Sequence, residues 1–321
     1  MELRRLGETE INASVLGIGC AGIGFVNTED CLVDELLSVA SDAGVNVLDT
    51  AAMYGESESK IGRALHGRRD KFFIFTKCGL HAPRRLSRTG VWMRANAVKD
   101  FVNDPRSAQR ELCWRTDVLE WNIEQSLRRL KTDCVDLLLL HSCSEELLKQ
   151  GDVIEVLQRA KQSGKARHIG YSGDGKAERY AIESGHFDAV ELSLNIADQE
   201  GIDTLLPLAR QHGLGVIAKR PVANGLWQTT TRPGHPYYYP YWDRLRALKY
   251  DFLQDEHGFE TALRFTIAIP GVHTAIVGTT NPQHMRRNIE AIKIGAMPLE
   301  SFKAVRSRWF QAELPNRHPL I

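Results

Sequence analysis

The chain of 321 residues has no charge bias: 41 lysines and arginines stand against 40 aspartates and glutamates. Such a balance argues against a nucleic-acid or anionic-membrane partner and favours a small neutral ligand or a locally bound anion. Long apolar runs are also missing. The longest, CVDLLLLH, is broken by Asp136 and falls far short of the ~20 residues that a bilayer span requires, so no membrane association is expected. The opening MELRRLGETE carries positive charge without an apolar core, which predicts no secretory signal. The six cysteines (Cys20, Cys31, Cys78, Cys113, Cys134, Cys143) form neither a CxxC nor a zinc-type cluster. Reduced thiols, no bound metal and a cytoplasmic location are the expectation. Cys78 lies beside a candidate site, and small buried filler is its plainer reading. The arginines at 84, 85, 88, 94, 106 and 110 are interleaved with acids, which suits a solvated loop better than a nucleic-acid patch.

What is present is a repeated alternation. With 43% hydrophobic residues the chain can bury a substantial core. After LRRLGETEINASVLGIGC, whose charged turn between two extended pieces predicts a hairpin, eight short apolar runs follow: VLGIG, VNVLD, FFIFTK, VDLLLLH, RHIGYS, AVELSLN, GVIAK and TAIVG. Leu32, Leu36, Val39 and Ala43 recur at helical spacing after the first run, as do Leu119, Ile123, Leu127 and Leu130 after the third. Asp117 and Glu120 are placed as a capping box for that second helix. Strands alternating with amphipathic helices call for a parallel sheet, and eight such units predict a closed (β/α)8 barrel, one domain over residues 1–321. Residues 80–115 and 221–255 are too long for plain crossovers. Both follow strands, which places them over the carboxyl-end face where barrel active sites form.

The strand ends carry the chemistry. The second run closes on Asp49, the third on Lys77 and the fourth on His141, while Tyr54 follows Asp49 in NVLDTAAMYGES. Singly these read as a turn acid, a surface lysine and a core histidine; jointly, on consecutive strand ends, they face one mouth. A phenol of ordinary pKa ~10 donates its proton poorly at neutral pH unless a cation stabilises the phenolate. Lys77 supplies the cation, Asp49 is the partner a buried ammonium needs, and His141 can bond a substrate oxygen or share the proton relay. The set can give a proton to a carbonyl oxygen as hydride reaches its carbon, or do the reverse.

These segments, together with QSLRRLKTDCVDLLLLH, RHIGYSG and TAIVGTTNPQHMRRNIEA, resemble in order the signature segments of the aldo-keto reductase superfamily. The resemblance implies an NADPH- or NADH-dependent reductase acting on a small carbonyl or alcohol, with Asp49, Tyr54, Lys77 and His141 as its tetrad and Tyr54 as proton donor. It also implies nicotinamide contacts at Ser172, Glu191, Lys219 and Arg220. Gly173 stands where the family has Asn, Glu191 where it has Gln, and Lys219–Arg220 where it has an aromatic ring; a guanidinium plane can stack in the ring's place. Gly278, Thr279, His284, Arg287 and Asn288 fall on family positions for the adenosine phosphates, near a helix start suited to anions. NADPH is expected over NADH, with Arg286 and Arg287 as candidate charges for a 2′-phosphate. GIGCAG, containing Gly19, fits GxGxxG, yet Asp49 lies too far on for a dinucleotide fingerprint; these glycines let a loop pass close to substrate or nicotinamide. Phe25, Trp92, Trp114, Trp227 and the tyrosines at 237–239 are candidate pocket walls. Two other readings stay open at this point: a non-catalytic nicotinamide-sensing module, as in the potassium-channel β-subunits that resemble this family, and a Rossmann dehydrogenase, which requires a doubly wound sheet.

Overall fold

The computed structural model describes residues 1–26, 28–80, 113–315 and 317. Two strands, β1 (Leu3–Arg5) and β2 (Asn12–Ser14), pair antiparallel as the expected hairpin. The other eight are β3 (Leu16–Gly19), β4 (Val47–Asp49), β5 (Phe73–Gly79), β6 (Val135–His141), β7 (Ala166–Ser172), β8 (Ala189–Ser193), β9 (Gly215–Lys219) and β10 (Thr274–Gly278). They run parallel in chain order, and β10 closes on β3, so the sheet is a barrel. A closed barrel excludes the doubly wound alternative.

The two-residue period of a strand sorts each apolar run into two faces. Leu138 and Leu140 turn outward into the layer shared with the helices, whereas Val47, Phe75, Leu137, Leu139, Ala189, Ile217 and Ile276 form a separate interior cluster. The hairpin contributes Leu6, Ile11 and Ala13 to that cluster and stops the amino-end of the barrel. Its turn docks backbone to backbone: Gly7 has φ +57°, and a Cβ there would sit 2.3 Å from Gly215 N. A left-handed turn in such close contact needs glycine.

Two aspartates near strand starts brace the wall. Asp136 Oδ2 accepts from Ile74 N and from Arg69, both at 2.8 Å, which gives the acid interrupting CVDLLLLH its partners. Asp188 Oδ2 accepts from Ile169 N at 2.9 Å and Lys161 Nζ at 2.7 Å. Partial burial raises the Asp188 carboxyl, but bonds from His168, Lys161 and Ile169 N outweigh it and hold the group at about 2. Its folded pKa lies below the unfolded ~3.9, so its stabilisation is present above that value and lost as pH falls through about 2. Asp188→Asn is therefore expected to lower the urea midpoint at pH 7, with parent and variant converging near pH 2; a constant gap across the range would refute this.

The helices match the expected periodicity with two corrections. In Asp30–Asp42 the buried face is Val33, Leu36, Leu37, Val39 and Ala40, while Leu32 is exposed and Ala43 lies past the end as the cap. The stripe is thus rotated by one residue, because the wall it covers accepts the 33/36/37/40 positions. In Thr116–Leu130 the expected stripe Leu119, Ile123, Leu127 and Leu130 is buried, but no capping box forms. Arg115 is the N-cap; Asp117 sits inside the first turn and pairs with Arg115 at 2.7 Å, and Glu120 pairs with Arg159 at 2.9 Å. Most of the segment at 80–115, with Trp92 and the six arginines, lies outside the described residues. The segment at 221–255 is built from short 3₁₀ turns and the helix Tyr239–Leu248.

Candidate active site

Each barrel strand continues its interior face for one more inward position at the carboxyl end, and there the residue type changes. Asp49 lies two residues beyond Val47, Lys77 beyond Phe75, His141 beyond Leu139, Glu191 beyond Ala189, and Lys219 beyond Ile217. Ser172 follows Gly170, Gly19 follows Gly17 and Gly278 follows Ile276 in the same way. Pairing registers align the ring: Gly278 opposes Gly19, Gly19 opposes Asp49, and His141 opposes Ser172, which opposes Glu191. Eight of the sequence-predicted residues thus share one rim.

Lys77 Nζ is the hub. It donates to Asp49 Oδ1 at 2.6 Å, Asp49 Oδ2 at 2.5 Å and Thr50 O at 3.2 Å. It also lies 3.2 Å from Glu191 Oε2 and 5.4 Å from the centre of the Tyr54 ring. That ring meets His141 edge-on at 5.6 Å and Phe25 at 5.8 Å. Burial alone would neutralise the ammonium; the carboxylates of Asp49 and Glu191 outweigh it and keep Lys77 charged. Burial pushes the Tyr54 phenol well above its ordinary range, Lys77 pulls it back in part, and Asp49 and Glu191 add to the rise. Its proton is consequently in place at neutral pH. Burial and then the charges of Lys77, Lys219 and Arg220 hold His141 well below its ordinary range, so it is a neutral imidazole that hydrogen-bonds rather than a cation.

The Tyr54 loop is fixed by backbone contacts that sequence reading missed. Tyr54 N donates to Ala51 O and Ser57 N to Tyr54 O, both at 3.0 Å. The Ser57 hydroxyl donates to Cys20 O at 2.9 Å and lies 2.8 Å from that of Thr50. Gly24, in the one-turn helix Ala21–Phe25, packs so closely that a Cβ would fall 1.6 Å from Tyr54 O. The spacing GCAGIG held that signal, but only the contact shows what the second glycine pair serves. Gly24→Ala is expected to displace the Tyr54 loop, lowering stability and cutting turnover by ~10²-fold; parent-like rates would show that the loop tolerates the shift.

A second missed residue is Asp174. It pairs with Lys219 at 3.0 Å and Arg220 at 3.4 Å and accepts from Ser193 N at 2.8 Å. Arg220, at φ +55°, bonds the Ser193 hydroxyl and stacks 5.3 Å from the Tyr237 ring centre. Its plane is therefore shared with Tyr237. Ser172 Oγ donates to Glu191 Oε1 at 3.1 Å. Of the other aromatic candidates, Trp227 packs on Phe259 at 4.7 Å and Tyr239 lies under Arg232, while Trp114 is buried against Gly79. Burial pushes the Cys78 thiol up to about 12, which makes it filler, and none of the six cysteines forms a disulfide.

Beyond β10, Asn281 caps the helix Pro282–Lys293 by accepting from Gln283 N at 2.8 Å. Met285 N donates to Asn281 O, leaving the His284 amide without a partner among the described residues. His284 and Arg287 are exposed, Asn288 is half-buried, and the Thr279 hydroxyl closes the turn to Asn281. Arg286 reaches Glu35 at 3.6 Å. A cavity of about 670 Å3 bordered by Glu10, His168 and Asp188 lies at the opposite, hairpin end of the barrel and contains none of the tetrad.

Eight parallel strands closed into a barrel with ionisable residues on its carboxyl-end rim define a (β/α)8 barrel with a candidate active site. The chain belongs to the Aldo/keto reductase family, whose model matches residues 15–309. It is 29% identical over 319 residues to the NADH-specific methylglyoxal reductase of Escherichia coli (strain K12), covering 90% of this chain and 93% of that one. To the Uncharacterized oxidoreductase YqkF of Bacillus subtilis (strain 168) it is 26% identical over 321 residues, with 96% of each chain covered. The holo form of aldo-keto reductase AKR11C1 from Bacillus halodurans superposes with a TM-score of 0.78 at 25% identity, over 96% of both chains. Among the described residues no helix is long and apolar enough to cross a membrane.

Proposed function

We propose that the chain, as one unit over residues 1–321, reduces an aldehyde or ketone to its alcohol with a nicotinamide coenzyme and Tyr54 as general acid. The observation that carries this reading is the single cluster in which Asp49 grips Lys77 with both oxygens, Lys77 faces the Tyr54 ring and that ring abuts His141. A nicotinamide dinucleotide fits the residues around it. The paired glycines 19 and 278 leave the rim bare of side chains, and the His284 amide is open at a helix start. When bound, the coenzyme supplies a hydride to the carbonyl carbon. Charge then builds on the carbonyl oxygen, His141 donates a hydrogen bond to it, and Tyr54 transfers its proton there. Lys77 stabilises the phenolate left behind, and Asp49 keeps Lys77 oriented. A phenol that holds its proton at neutral pH is in the form that carbonyl reduction requires.

Ser172, Glu191, Lys219 and Arg220 would surround the nicotinamide, and Gly278, Thr279, His284, Arg287 and Asn288 the phosphates. For the coenzyme we retain NADPH, supported by Arg287, an exposed cation in no ion pair among the described residues; the NADH-specific relative makes the point one to measure. Arg287→Ala is expected to raise KM for NADPH about ten-fold and leave that for NADH unchanged. Equal effects on both would place Arg287 at a group the two coenzymes share and remove its support for NADPH. The test of the whole reading is oxidation of NADPH and NADH against a panel of aldehydes and ketones. Tight coenzyme binding with no turnover anywhere on the panel would favour a nicotinamide-sensing module instead.

A further inference from the structure

The rim holds one more acid than proton transfer from Tyr54 requires. Lys77 already has a partner in Asp49, which occupies it with two bonds of 2.5 and 2.6 Å. Yet Glu191, from the far side of the barrel, brings a second carboxylate to 3.2 Å from the same nitrogen. Glu191 is 2% exposed, its Oε1 is fixed by Ser172 Oγ at 3.1 Å, and its Oε2 faces the Lys77 ammonium. A carboxylate brought this deep is costly unless its charge acts on something nearby.

We propose that Glu191 is a positioning residue for the proton donor: as a second counter-ion of Lys77 it sets the pH at which Tyr54 releases its proton. This rests on the reductase reading above. The groups facing the pair come from every side. Asp49 projects from β4, Tyr54 from the following loop and His141 from β6. Lys219 and Arg220 project from β9, with Glu178 behind them on the helix Gly175–Glu183 and the Cys20 thiol beside β3. Lys219 and Lys77 keep Glu191 ionised against the penalty of burial, whereas burial and the Glu191 charge raise Asp49. The ammonium therefore serves two acids, and the share left to stabilise a Tyr54 phenolate is smaller than one carboxylate would leave. An amide at position 191 keeps the shape and the Ser172 contact while removing the charge.

The experiment compares parent, Glu191→Gln and Glu191→Asp in carbonyl reduction across pH, with equal thermal midpoints as the folding control. In the reductive direction activity falls as Tyr54 loses its proton. Glu191→Gln is expected to move that alkaline limb of kcat to lower pH by on the order of one unit, and Glu191→Asp to restore it. A second arm does not depend on turnover: carboxyl 13C titration of aspartate-labelled protein, with Asp49 assigned through Asp49→Asn. The Asp49 midpoint is expected to fall in Glu191→Gln because its repelling neighbour is gone. Superimposable pH profiles in an active parent, or an unmoved Asp49 midpoint, overturn the inference and leave the reductase reading standing. A parent that turns over no carbonyl overturns that reading, while the Asp49 arm still decides whether Glu191 and Lys77 are coupled.

Discussion

Tyr54→Phe is expected to lower kcat for carbonyl reduction by 10²–10⁴-fold, the usual worth of a positioned general acid, and to leave coenzyme affinity within about two-fold. The reasoning is geometric. The ring sits between Phe25, His141 and the Lys77 ammonium, so phenylalanine fills the same space and only the hydroxyl is lost. Residual activity would then come from His141 and from hydride positioning alone, and it would lose the alkaline limb that reports the phenol. A solvent isotope effect is expected in the parent and absent from the variant's slow step. Undiminished turnover would remove Tyr54 from the chemistry.

Lys77→Met is expected to fail in two ways at once. Without the ammonium the phenolate has no stabilising charge, so kcat falls at least as far as in Tyr54→Phe. The fold suffers too, because Asp49 and Glu191 are both buried and face the vacated position. Removing one partner of a buried ion pair typically costs ~3–5 kcal/mol, and here two acids share the loss. Both carboxyls would then have folded pKa values above their unfolded ones. The folded state would hold more protons than the unfolded between those values, so stability falls as pH rises. Lys77→Met should accordingly unfold at lower urea at pH 8 than at pH 5, more steeply with pH than the parent. Adding Asp49→Asn should recover part of the loss but none of the activity. A variant with parent stability at pH 8 would mean that the two acids find water or another cation.

Much of this architecture was legible because the chemistry obeys simple periods. Runs such as VDLLLLH and GVIAK coincide with their strands residue for residue. Their parity alone carries His141 and Lys219 to the rim once Leu139 and Ile217 are taken as interior. Helix faces were readable to within one position, as Leu32 shows, since a stripe's centre depends on the wall it meets. The capping box failed for a local reason: Arg115 offered Asp117 an ion pair that competed with a backbone amide. What could not be read were contacts between distant segments. Nothing near Glu191 in the chain announces Lys77, and nothing near Gly24 announces the carbonyl of Tyr54. Arg220 was read as a stacking plane for coenzyme, and its own neighbour Tyr237 is a partner that only the folded loop supplies.

The hairpin that seals the amino-end of the barrel has a bearing on kinetics. With Leu6 and Gly7 seated against Gly215, the vessel has a floor. If coenzyme and carbonyl share the carboxyl-end mouth, as proposed, the larger molecule is expected to enter first and leave last. Product inhibition should then follow an ordered pattern, with the oxidised coenzyme competing against the reduced one and the alcohol competing against neither.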